Sequence, residues 1–193
     1  MTNNKTLPKK FRHIYRIQST RIPHWNYANS GMYFITICTK NRTHFFGEIS
    51  NGKMHYSSMG YIAENEWGNT KNIRPSIKLD EWIIMPNHLH GIVTINNPVE
   101  THSVRLMDNE KRDALNASLQ NQFGSQSNNL ASIIRGFKAA TTKKIHQLGL
   151  IDFAWQPGFH EHIIRNEKSL NYIREYIQNN PMNWDLDENN LLR

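Results

Sequence analysis

The sequence predicts an α+β fold, on three observations. An apolar run, Trp82-Ile83-Ile84-Met85, stops at Pro86-Asn87 and resumes as His88-Leu89-His90-Gly91-Ile92-Val93-Thr94-Ile95. Runs this rich in Ile, Val and Trp, divided by a turn pair, form two adjacent strands. A further strand, Tyr33-Phe34-Ile35-Thr36-Ile37-Cys38-Thr39, follows the turn signal Asn29-Ser30-Gly31. Three other stretches place apolar residues at helical spacing: Met59, Ile62, Ala63 and Trp67; Leu130, Ile133, Ile134 and Phe137; Leu170, Ile173 and Ile177.

In chain order, 1–24 is a basic arm with Lys5, Lys9, Lys10, Arg12, Arg16 and Arg21, interleaved with Phe11 and Tyr15. It reads as a solvated tail or as a segment that stacks on single-stranded nucleic acid. One domain fills 25–193. After the strand at 32–39 come the basic loop Lys40-Asn41-Arg42 and a hairpin turning at Asn51-Gly52. Ser57 or Ser58 caps a helix to about 70. Pro86 cannot take the positive φ of a tight two-residue hairpin, so the connection at 86–87 is expected to be wider or bulged. Residues 96–129 are dominated by Asn, Gln and Ser and form a polar insertion. Asn128 or Asn129 caps a helix to about 149, with Arg135, Lys138, Lys143 and Lys144 largely off its apolar stripe. A strand follows at about 159–164. The last helix starts at Asn166 or Ser169 and stops at Pro181.

Of 193 residues, 23 are Lys or Arg and 16 Asp or Glu, a net charge of +7 with a pI near 9.6. That surplus favours a polyanionic partner, nucleic acid ahead of an acidic membrane surface. The single cysteine, Cys38, excludes an internal disulfide and suits a reducing compartment. No run reaches the roughly 18 apolar residues of a membrane span, and the first 25 residues lack a signal-peptide core. A cytoplasmic location is expected.

Two constellations carry chemistry. His88 and His90 are two apart on a strand, so both imidazoles project from one face, their Cα atoms roughly 6.6 Å apart. They could converge on a divalent ion or a phosphate, or simply face water. Tyr172, Tyr176 and Asn180 are spaced by four and form one ridge on the last helix. An amide there can ligate a hard cation while a phenol one turn earlier reaches a bound phosphate. The alternative is two half-buried tyrosines and a helix cap. Beside Phe159, the pair His160 and His162 shares a strand face, with Glu161 between them.

The strings YFITICTKNR, MPNHLHGIV, WQPGFHEHIIRN and YIREYIQNNPMNW, in this order, resemble the single-tyrosine HUH transposases, most closely the REP-associated tyrosine transposases. The resemblance covers nearly the whole chain outside 96–129. It implies a ferredoxin-like or RRM-like antiparallel sheet with helices packed on one face. It places the metal on His88 and His90, completed by Asn180, and the catalytic tyrosine at Tyr176, five residues before Pro181; Tyr172 is its rival on the same ridge.

The activity implied is cleavage and rejoining of single-stranded DNA, hairpin-forming in its target, through a 5′-phosphotyrosine link, with Mg²⁺ or Mn²⁺ as cofactor. Glu161 or His162 would act as base or orient a ligand. Arg12, Arg16, Arg21, Arg42, Lys138 and Arg165 are candidates for backbone phosphate contacts. A monomer or a homodimer would fit. Two other readings stand beside this one: a non-catalytic single-stranded nucleic-acid binder, and a replication initiator or relaxase using the same chemistry.

Overall fold

The computed structural model describes residues 30–96 and 129–190, together with the backbone of 10–11 and 14–15. Two short strands, β1 (Lys10–Phe11) and β2 (Ile14–Tyr15), pair near the N-terminus. The rest of the basic arm, including Arg12, Arg16 and Arg21, and almost all of the polar insertion lie outside the described residues.

The domain is built from β3 (Gly31–Cys38), β4 (Gly47–Ser50), β5 (Lys53–Tyr56), α1 (Ser58–Ile73), β6 (Ile77–Met85), β7 (His88–Ile95), α2 (Leu130–Gln147), β8 (His160–Ile164) and α3 (Glu167–Asn179). Four strands form one sheet in the order β6-β7-β3-β8, every neighbour antiparallel. Strands β3, β6, β7 and β8 with α1 and α2 make a βαββαβ unit, the ferredoxin-like arrangement. β4 and β5 form a separate hairpin whose turn residues, Asn51 (φ 53°) and Gly52 (φ 68°), have the left-handed backbone that such a turn needs.

Local chemistry sets the helix starts. The side chains of Ser57, Asn129 and Asn166 accept from the backbone N–H of Gly60, Ser132 and Ser169, closing the N-termini of α1, α2 and α3. The sheet then divides the apolar residues by parity. Tyr33, Ile35 and Ile37 of β3 and Leu89 and Val93 of β7 meet Ala63 and Trp67 of α1 and Ile133 and Phe137 of α2. Trp67 and Phe137 meet edge to face with centroids 5.0 Å apart. Gly91 makes room for that packing: a Cβ there would sit 3.2 Å from both the Trp67 ring and Trp82. Lys144 and the buried Glu66 tie α2 to α1. Among the described residues no helix is long and apolar enough to cross a membrane.

The last helix lies outside the βαββαβ unit and packs on the opposite face. Its stripe of Leu170, Ile173 and Ile177 meets a second apolar cluster of Ile92 and Ile164, flanked by Met32, Phe34 and Ile83. Helices α1 and α2 therefore share one face, and α3 covers part of the other.

One sequence expectation is corrected. The β6–β7 connection is a tight two-residue turn, with Met85 opposite His88, and the irregularity in this pair falls between Leu79 and Trp82 instead. Neither Pro86 nor Asn87 has positive φ. Neighbouring segments hold the turn: the Pro86 carbonyl accepts from Phe46 N–H at 2.9 Å, and the Asn87 carbonyl accepts from Thr39 N–H at 2.9 Å and Thr39 Oγ1 at 3.0 Å. Tertiary hydrogen bonds thus override the local twist preference against such a turn.

Candidate active site

His88 and His90 occupy alternate positions of β7, opposite Cys38 and Thr36 on the central strand β3. Both are buried, with ring centroids 4.4 Å apart. His88 Nδ1 lies 2.8 Å from Asn87 Oδ1, and His90 Nδ1 lies 2.9 Å from Thr36 Oγ1. The Nε2 atoms are left over. That of His88 is buried without a hydrogen-bond partner among the described residues, and that of His90 lies 3.3 Å from the Tyr176 hydroxyl.

Helix α3 brings the phenol there. Arg174, one turn from the apolar stripe, donates to both carboxylate oxygens of Asp80 on β6, Nε to Oδ1 at 2.8 Å and Nη2 to Oδ2 at 2.7 Å. Gln178 donates to Glu81 at 3.0 Å. Phe34 stacks on His90 and meets Tyr176 edge-on, so the three rings form a continuous wall.

After Pro181 the chain turns back over the histidines. A 3-10 turn, Trp184–Leu186, sets the Trp184 ring 6.1 Å from His88 and 5.5 Å from His44. The next residue, Asp187, is buried, and its carboxylate joins His88 and His90 in a cluster whose ligand atoms all lie within 4.8 Å of one another. Among the described residues this is the one group of its kind. Asp187 Oδ1 accepts from Asn189 N–H at 2.6 Å and Asn189 Nδ2 at 2.8 Å; Oδ2 accepts from Asn180 Nδ2 at 3.2 Å. Among the described residues Asn180 Oδ1 then has no partner, and it is buried. A cleft of about 250 Å³ lined by Tyr176, Asn180, Asn183, Leu186 and Asp187 opens beside the cluster.

The electrostatics suit a cation. Burial pushes the His88 imidazole well below its usual value, reinforced by the charges of His90 and Arg42. Burial likewise lowers His90 to about 4, with Asp187 opposing. Both rings are neutral at physiological pH, as ligation requires. Burial, then Asp187, raises the Tyr176 phenol above 10, while a hydrogen bond from Asn180 opposes this. Two orphaned buried acceptors, His88 Nε2 and Asn180 Oδ1, beside a carboxylate and a second imidazole are costly unless something satisfies them. The mixed nitrogen and oxygen donor set fits a divalent ion.

The sequence candidates distribute as follows. His88, His90, Tyr176 and Asn180 come together. Tyr172 lies one turn back on α3 and is 72% exposed, against 40% for Tyr176. His162 pairs with Phe34 and so shares the sheet face of the histidines, whereas Glu161 pairs with Ile35 and points to the α1–α2 side. Arg42 is half-buried beside the cluster, its carbonyl accepting from Asn87 Nδ2. Lys138 donates to the carbonyls of Gln156 at 2.7 Å and Gly158 at 2.5 Å, an anchoring role within the fold. Arg165 is exposed at the end of β8. Asp187 was missed. It stands 99 residues from His88 in a polar tail without periodicity, and only its burial in the fold singles it out.

The fold is transposase-like. A solved REP-associated tyrosine transposase bound to a REP hairpin superposes with a TM-score of 0.53, at 20% identity over 89% of this chain and 77% of that one. A putative transposase from Deinococcus radiodurans R1 matches with a TM-score of 0.41 and 13% identity, over 84% and 97%. No protein-family model matches the chain. In sequence, an uncharacterized protein of Haemophilus influenzae is 40% identical over 175 residues, 91% of this chain and 93% of that protein. The chain belongs to the same family as that protein.

Proposed function

We propose that this protein is a metal-dependent single-stranded DNA transposase or endonuclease that cleaves and rejoins DNA through a 5′-phosphotyrosine intermediate. The observation that carries the reading is the approach of the Tyr176 hydroxyl to 3.3 Å from His90 Nε2, beside the His88–His90–Asp187 cluster. His88, His90 and Asp187, with the oxygen of Asn180, would hold Mg²⁺ or Mn²⁺. Such an ion, when bound, polarises a phosphate oxygen and offsets the charge that develops on it.

The chain's own residues would do the rest. The Tyr176 oxygen forms a bond to phosphorus as the bond from phosphorus to the 3′ oxygen breaks. The phenol proton is lost, and the leaving 3′ oxygen ends as a hydroxyl after gaining one. The new ester keeps the reactivity of the phosphodiester, so attack by another 3′-hydroxyl rejoins strands without ATP. Phe34 and the buried histidines themselves wall one side of the cluster. Of the two base candidates, His162 shares the phenol's face. The solved REP-associated enzyme carries a hairpin, and a hairpin-forming single strand is the proposed substrate here.

Helix α3 covers the sheet face that an RRM would offer to bases, which argues against the purely binding reading. The exposed Tyr172 keeps the replication-initiator reading open, since such enzymes use a second tyrosine; Tyr172→Phe and Tyr176→Phe compared side by side separate the two. The test of the proposal is a denaturing gel of protein mixed with end-labelled hairpin DNA and Mn²⁺. A covalent band should form, and His88→Ala and His90→Ala should lose it while retaining most DNA binding. Bound DNA with no covalent band in the native protein would leave only the binding reading.

A further inference from the structure

The turn that joins β6 to β7 does more than reverse the chain. Asn87 is fully buried, and its side chain meets three separate segments. Nδ2 donates to the carbonyl of Arg42 at 3.0 Å and to the carbonyl of Asn189 at 2.8 Å, while Oδ1 faces His88 Nδ1 at 2.8 Å. Backbone carbonyls can only accept, so the atom between Arg42 and Asn189 must be the amide nitrogen. The atom facing His88 is therefore the amide oxygen, which can only accept. His88 must then carry its proton on Nδ1, leaving Nε2 with a bare lone pair, and Nε2 is the atom buried beside the phenol and carboxylate without a partner among the described residues.

The second arm of Asn87 reaches the chain segment that supplies the carboxylate. Asn189, whose carbonyl receives the Asn87 amide, gives its own N–H and its side-chain amide to Asp187 Oδ1. One amide is thus linked to an imidazole directly and to the carboxylate through a single intervening residue.

We infer that Asn87 is a positioning residue for the cation site: it fixes the ligating tautomer of His88 and, through Asn189, docks the C-terminal segment that presents Asp187. The inference rests on the reading of this cluster as a divalent-ion site. It adds that the site is assembled from two parts of the chain, and that Asn87 couples them. Partners of this kind, one step behind the ligands, typically change metal affinity by about 10–100-fold when removed.

Two measurements test it. Long-range ¹⁵N correlation spectra of the metal-free native protein should show His88 protonated on Nδ1; protonation on Nε2 overturns the inference, and no substitution is needed. Calorimetric titration with Mn²⁺ then compares Asn87→Ala and the isosteric Asn87→Asp, each alone and combined with Asp187→Ala. Asn87→Ala should weaken Mn²⁺ binding about 10–100-fold. Asn87→Asp keeps the acceptor for His88 but loses both donors, so it should weaken binding in the native background and have little effect once Asp187 is gone. Losses that are the same in both backgrounds, or native-like affinity in both single variants, overturn the coupling. If the native protein itself fails to take up Mn²⁺, the cation-site reading falls as well, so the two failures are told apart.

Discussion

The Tyr176 hydroxyl lies 3.3 Å from Nε2 of His90, although 86 residues separate them in the chain. That approach depends on helix α3 crossing the sheet face from which the histidines project, with Ile177 fully buried one residue after the phenol. Under the proposed function, a phenol and an imidazole nitrogen at this separation would address the same phosphate, which neither an isolated His pair nor an isolated tyrosine ridge can do.

Asp187 completes the cluster, so its removal should be felt first in metal affinity. Asp187→Ala is expected to weaken Mn²⁺ binding by at least about tenfold, with Asp187→Asn falling between it and the native protein, since an amide oxygen still ligates but carries no charge. Calorimetric titration reads both. Unchanged affinity in Asp187→Ala would place the third ligand elsewhere, with Asn180 the remaining candidate.

The histidines also set a pH dependence. His90 is depressed from 6.5 to about 4, and burial holds His88 well below 6.5. Between those limits the unfolded chain binds more protons than the folded one, so stability of the metal-free protein falls as pH drops from about 6.5 towards about 4. His90 alone would account for roughly 3 kcal/mol across that window and nothing above it. Denaturant titrations over this range should show the slope, and His90→Gln should flatten it. Covalent adduct formation should instead rise with pH through the neutral range, because the Tyr176 phenol sits above its ordinary value.

Arg174 holds α3 against β6 through two hydrogen bonds to Asp80. It touches neither the histidines nor Asp187, so Arg174→Ala should leave Mn²⁺ affinity unchanged and slow formation of the covalent adduct by letting the helix drift. Single-turnover kinetics with saturating Mn²⁺ measure the second effect. A fall in Mn²⁺ affinity matching the fall in rate would contradict this division of labour.

Much of the fold was legible in the sequence because it rests on periodicities. The alternation in 82–95, the stripes of three helices and the caps Ser57, Asn129 and Asn166 all appear where the pattern puts them. The tight turn at Pro86-Asn87 was not legible, since its conformation is imposed by Thr39, Phe46 and the buried Asn87 side chain, all contacts made across the fold. The same holds for the site. His88 and His90 announce themselves by spacing and Tyr176 by its ridge with Asn180, but Asp187 is recruited by a chain reversal after Pro181 that no local pattern encodes. Glu161 looked equivalent to His162 in sequence, and strand parity sends it to the other face.

Under the proposed function, Tyr176 becomes covalently joined to DNA at a cation site formed by His88, His90 and Asp187. Peptide mapping by mass spectrometry of the protein after incubation with hairpin-forming single-stranded DNA and Mn²⁺, followed by nuclease trimming, tests it most directly. A nucleotide remnant is expected on the peptide containing Tyr176, attached at that residue and absent when Mn²⁺ is withheld. A remnant on any other residue, or one that forms equally well without the metal, would contradict it.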